Sequence, residues 1–159
     1  MVRKLKVSKE KVSQEFLEWL RGQIPLINHM GFTPLQWDGK TLQMGAELEP
    51  NVNDKGTGFG GSLATVATLC GWSIITLYLR EQGRDDDVVI RDSHLEYFLP
   101  VTSDFSAVTS LPDEPTLTVF DQKMSEKGRA RMDLVIEIEQ DGKTALRLSG
   151  SYVALEKRR

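Results

Sequence analysis

Between Asn51 and Ser62 the chain reads Asn-Val-Asn-Asp-Lys-Gly-Thr-Gly-Phe-Gly-Gly-Ser, and a long apolar run begins at Leu63. A glycine-rich turn that feeds a helix leaves the first N–H groups without intrahelical acceptors, and the helix dipole adds to their pull on negative oxygen. Gly60 and Gly61 are therefore expected to hold the oxyanion that develops when an acyl carbonyl is attacked. One such donor is commonly worth ~3–4 kcal/mol in a transition state. The plainer role of the same glycines is close backbone packing. Around them, the short amide of Asn53 can orient a water or a carbonyl, and Lys55 can meet a phosphate or carboxylate, while Thr57, Phe59 and Ser62 are placed to line whatever binds there.

Asp92-Ser93-His94 looks like a compressed triad. On a strand, however, Asp92 and His94 share one face and Ser93 points to the other, so the three cannot form a relay among themselves. With Val88, Ile90 and Phe98 expected on the same face, Asp92 and His94 read as a partly buried general-base pair, set against the equally simple reading of a solvated face. His29 falls in a poorly patterned stretch and reads as structural. Near the start of a later strand, Arg129 and Arg131 share a face with Lys127 close by, a cluster that can take phosphates or merely decorate an edge.

Several other chemistries are excluded. Gly56, Gly58 and Gly61 spell a dinucleotide-binding fingerprint, but Glu81 lies at a helix end rather than after a second strand, and no crossover helices follow to build a parallel sheet. Ser62 lacks the closing glycine of a nucleophile elbow and reads as a helix-start residue. Two histidines and one cysteine without paired spacing speak against a metal site. The net charge of −3 gives no basic field for nucleic acid. Cys70 sits inside the apolar run and reads as an inert core thiol.

The elements that must position these residues follow from periodicity. One domain of 159 residues is expected, with 40% hydrophobic and 27% charged residues, as in a globular chain. Ser8 is expected to cap a first helix that presents Val12, Phe16, Leu17 and Leu20 as one stripe. Asp38-Gly39 and Asp141-Gly142 are hairpin turns. Phe59 to Glu81 is an unusually apolar helix, interrupted by enough hydroxyls to read as a buried core helix rather than a membrane span. Strands are expected at 42–48, 88–99, 105–111, 129–139 and 144–155, with 117–124 forming a short helical turn or distorted strand. An α+β antiparallel sheet of about six strands wrapped around one long helix, the hot-dog arrangement, packs these elements most economically. One sheet covers one side of so apolar a helix, so at least a homodimer is expected. The N-terminus lacks the apolar stretch of a secretory signal, which predicts a cytoplasmic protein away from membranes.

Taken together, the Asn51-to-Ser62 stretch, Gly71-Trp72, and Asp92-Ser-His94 with Tyr97 and Leu99-Pro100-Val101 resemble the bacterial thioesterase domain of the YiiD C-terminal type, over most of residues 10–155. The resemblance implies a hot-dog homodimer or higher oligomer, sites at the subunit interface, and an acyl thioester as substrate. Coenzyme A or the phosphopantetheine of an acyl carrier protein would then be part of that substrate, and no separate cofactor is implied. Related phenylacetate-pathway and 4-hydroxybenzoyl-CoA-type thioesterases carry a helix carboxylate seven residues after the glycine pair, where this chain has Thr68. Water must then be activated from elsewhere, with Asn53, Asp92 or His94 as candidates. The competing expectations are a module that binds acyl groups without cleaving them and a hydratase or dehydratase of the same fold.

Overall fold

The computed structural model describes residues 2–158, with side chains from Lys9 onward. Its elements run α1 (Val2–Gln23), a short 3-10 turn, β1 (Gln36–Trp37), β2 (Thr41–Ala46), α2 (Gly60–Glu81), β3 (Asp87–Tyr97), β4 (Phe105–Ser110), α3 (Glu114–Lys127), β5 (Arg129–Gln140) and β6 (Lys143–Leu155). The six strands form one antiparallel sheet in the order β1-β2-β4-β5-β6-β3. It curls around α2, which packs against β2 to β6 and meets β1 where Trp37 Nε1 donates to the Glu81 carboxylate at 2.9 Å. The hot-dog architecture read from periodicity is the one observed.

Strict alternation builds the sheet's inner face. Ala130, Met132, Leu134, Ile136 and Ile138 of β5 and Leu146, Leu148, Tyr152 and Ala154 of β6 are all buried against α2. By length and composition α2 could cross a membrane, yet most of it is buried as the rod of this core. Cys70 lies there fully buried, and desolvation pushes its thiol well above the ordinary range. Gly71 lets Tyr152 enter the helix-sheet seam, because a Cβ on Gly71 would stand 2.3 Å from the Tyr152 hydroxyl oxygen. That hydroxyl donates to the Thr68 carbonyl at 2.9 Å and fixes α2 against β6.

Three local expectations are corrected. Helix α1 begins at Val2, so Ser8 lies inside it rather than capping it, and the Ser8 side chain is outside the described residues. The 117–124 segment is a full helix, α3, because Asp113 caps it by accepting from the Thr116 N–H at 3.0 Å and Pro115 suits the first turn. The third correction concerns β3. Its pairing with β6 runs Ile90 opposite Tyr152 and then Asp92 opposite Ser151, which leaves Arg91 as the extra residue of a β-bulge. A one-residue insertion reverses which side chains face the core. Val88 and Ile90 point inward with Tyr152 and Ala154, but beyond the bulge Ser93, Leu95 and Tyr97 take the inner face, while Asp92, His94 and Glu96 point outward with Ser151, Ser149 and Arg147.

Candidate active site at the tip of the central helix

The loop that delivers the N-terminus of α2 is held by its own amides. Asn51 is 2% exposed, and its Nδ2 donates to the carbonyls of Met30 and Glu47 at 2.7 and 2.8 Å. Its backbone carbonyl accepts from the Phe59 N–H at 2.7 Å. Asn53 closes the next turn: its Oδ1 accepts from the N–H groups of Lys55 and Thr57, and its Nδ2 donates to Thr57 Oγ1 at 2.9 Å. Asn53 and Thr57 thus work as a loop staple. Lys55 extends into solvent with its ammonium on the adjacent Asp54 carboxylate.

Phe59 is the N-cap residue of α2 and supplies no side-chain cap. The first intrahelical bond runs from the Leu63 N–H to the Phe59 carbonyl at 3.0 Å. Ahead of it, the N–H groups of Gly60, Gly61 and Ser62 have no intramolecular acceptor among the described residues. Two aromatic rings flank them. A Cβ on Gly61 would stand 2.7 Å from the Phe59 ring, and one on Gly60 would stand 3.4 Å from the Tyr97 ring. A side chain at Gly61 would push the exposed Phe59 ring aside, although the backbone there is ordinary helix. Both rings are 54% exposed, so the helix tip opens between two apolar surfaces.

From the tip a stripe of small or modest side chains runs along α2: Gly61, Ala64, Thr65, Thr68 and Leu69 are all partly or fully exposed. Thr65 turns its hydroxyl back onto the Gly61 carbonyl at 2.8 Å. The stripe ends where α1 covers the helix, with Trp19 stacked on Trp72 at 6.0 Å and Arg80 over the Trp19 ring at 3.9 Å. Thr68 stands on this stripe, and α2 carries no acidic residue before Glu81.

The other polar residues singled out in the sequence are not brought to the tip. Asp92 and His94 lie on the sheet's outer face, exposed, with His94 4.0 Å from Glu96. Tyr97 touches the tip from the inner face, and Asp92 is five residues back along β3, roughly 16 Å at ~3.3 Å per residue. Arg129 and Arg131 sit at the far end of the sheet, level with Leu155 and Val153, whereas the tip is level with Leu146. Arg131 is held in a fork by Asp133 at 2.8 and 3.2 Å, which keeps that carboxyl below its ordinary range. Two surface cavities of about 790 and 460 Å³ also lie on the outer face, and the smaller brings Asp92, His94 and Arg131 to one depression. Neither cavity is lined by Gly60, Gly61 or Ser62. Among the described residues no group of three or more His, Cys, Asp or Glu is placed to hold a metal.

Tyr97 is the tip residue that sequence reasoning passed over as part of a motif. Its hydroxyl donates to the Gly60 carbonyl at 3.2 Å. The apolar positions Leu95, Tyr97 and Leu99, out of step with Val88 and Ile90, were the signal that the frame shifts between them.

Residues 13–156 match the family model described as putative thioesterase (yiiD_Cterm). Among solved structures, the chain is 30% identical to a protein of unknown function from Chlorobaculum tepidum, covering 94% of this chain and 97% of that one with a TM-score of 0.87. It is 29% identical to a putative thioesterase from Shewanella oneidensis, over 91% of this chain and 98% of that one, with a TM-score of 0.82. A thioesterase from Haemophilus influenzae shares the fold at 15% identity and a TM-score of 0.63, over 82% of each chain.

Proposed function

The chain belongs to the putative thioesterase family of the YiiD C-terminal type, and from that premise we propose that it hydrolyses acyl thioesters at the tip of α2. The observation that carries this reading is the set of unpartnered amides at Gly60, Gly61 and Ser62, presented at the positive end of a 22-residue helix. A thioester carbonyl seated there is polarised. Water adds to the carbonyl carbon and gives up a proton to solvent, the tetrahedral oxyanion is held by the amides, and its collapse breaks the carbon–sulfur bond and expels a thiolate, which takes up a proton to leave a carboxylic acid and a free thiol. The stripe of Gly61, Ala64, Thr65, Thr68 and Leu69 gives the acyl chain a shallow apolar bed. No covalent enzyme intermediate is needed. The pantetheine arm of coenzyme A or of an acyl carrier protein supplies the leaving thiol.

In this reading the site is completed by a second copy. Strand β3 is an edge of 11 residues with one side of its backbone unpaired, and Val89, Ile90, Tyr97, Phe98 and Leu99 around it are exposed apolar residues. Such an edge is a template for another strand. Antiparallel pairing of β3 with its copy would roof the open side of the α2 stripe.

The absence of a carboxylate at Thr68 favours a second reading, an acyl-binding module without turnover. One experiment separates the two. Purified protein is given a panel of acyl-CoA esters of differing length and aromaticity, and thiol release is followed with a disulfide reagent beside calorimetric binding. Release of thiol at a rate above the protein-free control is expected. Saturable binding with no thiol released would sink the hydrolase reading in favour of the module.

A further inference from the structure

We propose that Tyr97 is a positioning residue for the oxyanion donor, acting through the peptide bond between Gly60 and Gly61. The inference rests on the hydrolase reading and adds to it a residue from outside the loop and helix. The Tyr97 hydroxyl donates to the Gly60 carbonyl at 3.2 Å. That carbonyl and the Gly61 N–H are the two ends of one planar peptide unit. Hydrogen bonding at the oxygen draws electron density from the nitrogen end and strengthens the N–H as a donor, the cooperative effect seen along chains of amides. The regular helical partner of the same oxygen is the Ala64 N–H, so Tyr97 uses its second lone pair.

The need for such a brace follows from local chemistry. Two successive glycines leave this peptide plane more freedom to tilt than any other pair of residues would. Phe59 offers no side-chain cap to restrain it. Tyr97 restrains it from the edge strand, with its ring against Gly60, where a Cβ would meet Cε1 at 3.4 Å, and with its hydroxyl on the carbonyl. The bulge at Arg91 is what turns Tyr97 to the inner face, so a break in the alternation of β3 and the aim of the Gly61 N–H are linked. A donor oriented before substrate arrives costs no reorganisation at the transition state, which places the effect in kcat rather than in binding.

The test is Tyr97→Phe in the full chain, which keeps the ring and deletes the hydroxyl. Removing an oxyanion donor outright costs ~100–1000-fold, so weakening one is expected to lower kcat by about three- to tenfold with KM unchanged. In the backbone NMR spectrum the Gly60 carbonyl carbon and the Gly61 amide proton are both expected to move upfield, with the melting temperature and the oligomeric state as in the parent. Should the variant not fold, the parent chain reports the same bond. Replacing the Tyr97 hydroxyl proton by deuterium, which exchanges fast compared with the helical amides, must then move the Gly60 carbonyl carbon resonance by the isotope shift of a bonded acceptor. Unmoved Gly60 and Gly61 resonances, or a kcat equal to the parent's, overturn the proposal, as does a loss confined to KM. If the parent chain itself releases no thiol, the hydrolase reading fails separately, and the two resonances still decide whether Tyr97 braces the peptide.

Discussion

At the scale of single residues, the unpartnered amides and the polar pair of β3 make opposite claims on the chemistry. Asp92 and His94 have the residue types of a general base, but they occupy the outer face and lie along the strand from the Gly60-Gly61 peptide. A base must come within hydrogen-bond reach of the proton it takes, directly or through one water. Asp92→Ala and His94→Ala are therefore expected to leave thiol release within about twofold of the parent, a span in keeping with exposed groups remote from the reacting atoms. Gly61→Ala is the contrasting change. Its Cβ would stand 2.7 Å from the exposed Phe59 ring, which can swing aside without breaking the core. The fold is expected to survive while hydrolysis falls at least tenfold, because the methyl group and the displaced ring crowd the donor. Steady-state rates for the three variants, read beside their melting curves, decide the matter. A large loss in Asp92→Ala or His94→Ala with Gly61→Ala unaffected would move the site to the outer face.

Elements were legible where one pattern governed a whole segment. Apolar residues recur at every second position in 42–48 and 129–139, and 144–155 follows from the Asp141-Gly142 hairpin turn; the strands formed there match these ranges to within a residue or two. Asp141 and Gly142 both adopt the positive φ that a tight hairpin asks of them. What the sequence hid was a matter of single residues that change the frame. Arg91 carries no mark of a bulge, yet it reverses the inward and outward sets of β3 and so moves Asp92 and His94 off the face assigned to them. The 117–124 segment showed only a short helical turn or distorted strand, whereas Pro115, in the first turn behind the Asp113 cap, belongs to a full helix. Asn53 had the chemistry to hold a water, but its amide is spent on Thr57 and Lys55, which only coordinates reveal. The long helix was read correctly because its hydrophobicity is nearly continuous, and its seating can be tested. Gly71→Ala would drive a Cβ into the buried Tyr152 ring at 2.3–2.8 Å. A cost of ~1–3 kcal/mol is expected from such overpacking, read as a lowered denaturant midpoint with an unchanged m-value. Pairing it with Tyr152→Phe should recover little, since the ring carbons collide as well as the hydroxyl.

At the scale of the whole molecule, the fold leaves two features unfinished on the same side. The α2 stripe from Gly61 to Leu69 is uncovered, and the adjoining edge strand β3 is paired on one side alone, with β6, among the described residues. A long edge is usually blunted by shortness, proline or inward charge. Here β3 runs 11 residues, its first proline comes only after it, at Pro100, and Ile90, which faces inward beside Tyr152, is 38% exposed. A second copy covering this side would bury Ile90 and close the stripe together, so assembly and hydrolysis should fail together. Ile90→Lys puts a charge where that contact must form, while the side chain retains a route to solvent in the single chain. The expected result is a shift from dimer to monomer by sedimentation velocity, a circular-dichroism spectrum like the parent's, and loss of most thiol release. Raising the protein concentration should restore dimer and activity in parallel, because mass action governs both. A monomeric variant that keeps the parent's turnover would show that one chain holds the complete site, and the stripe on α2 would then need no roof.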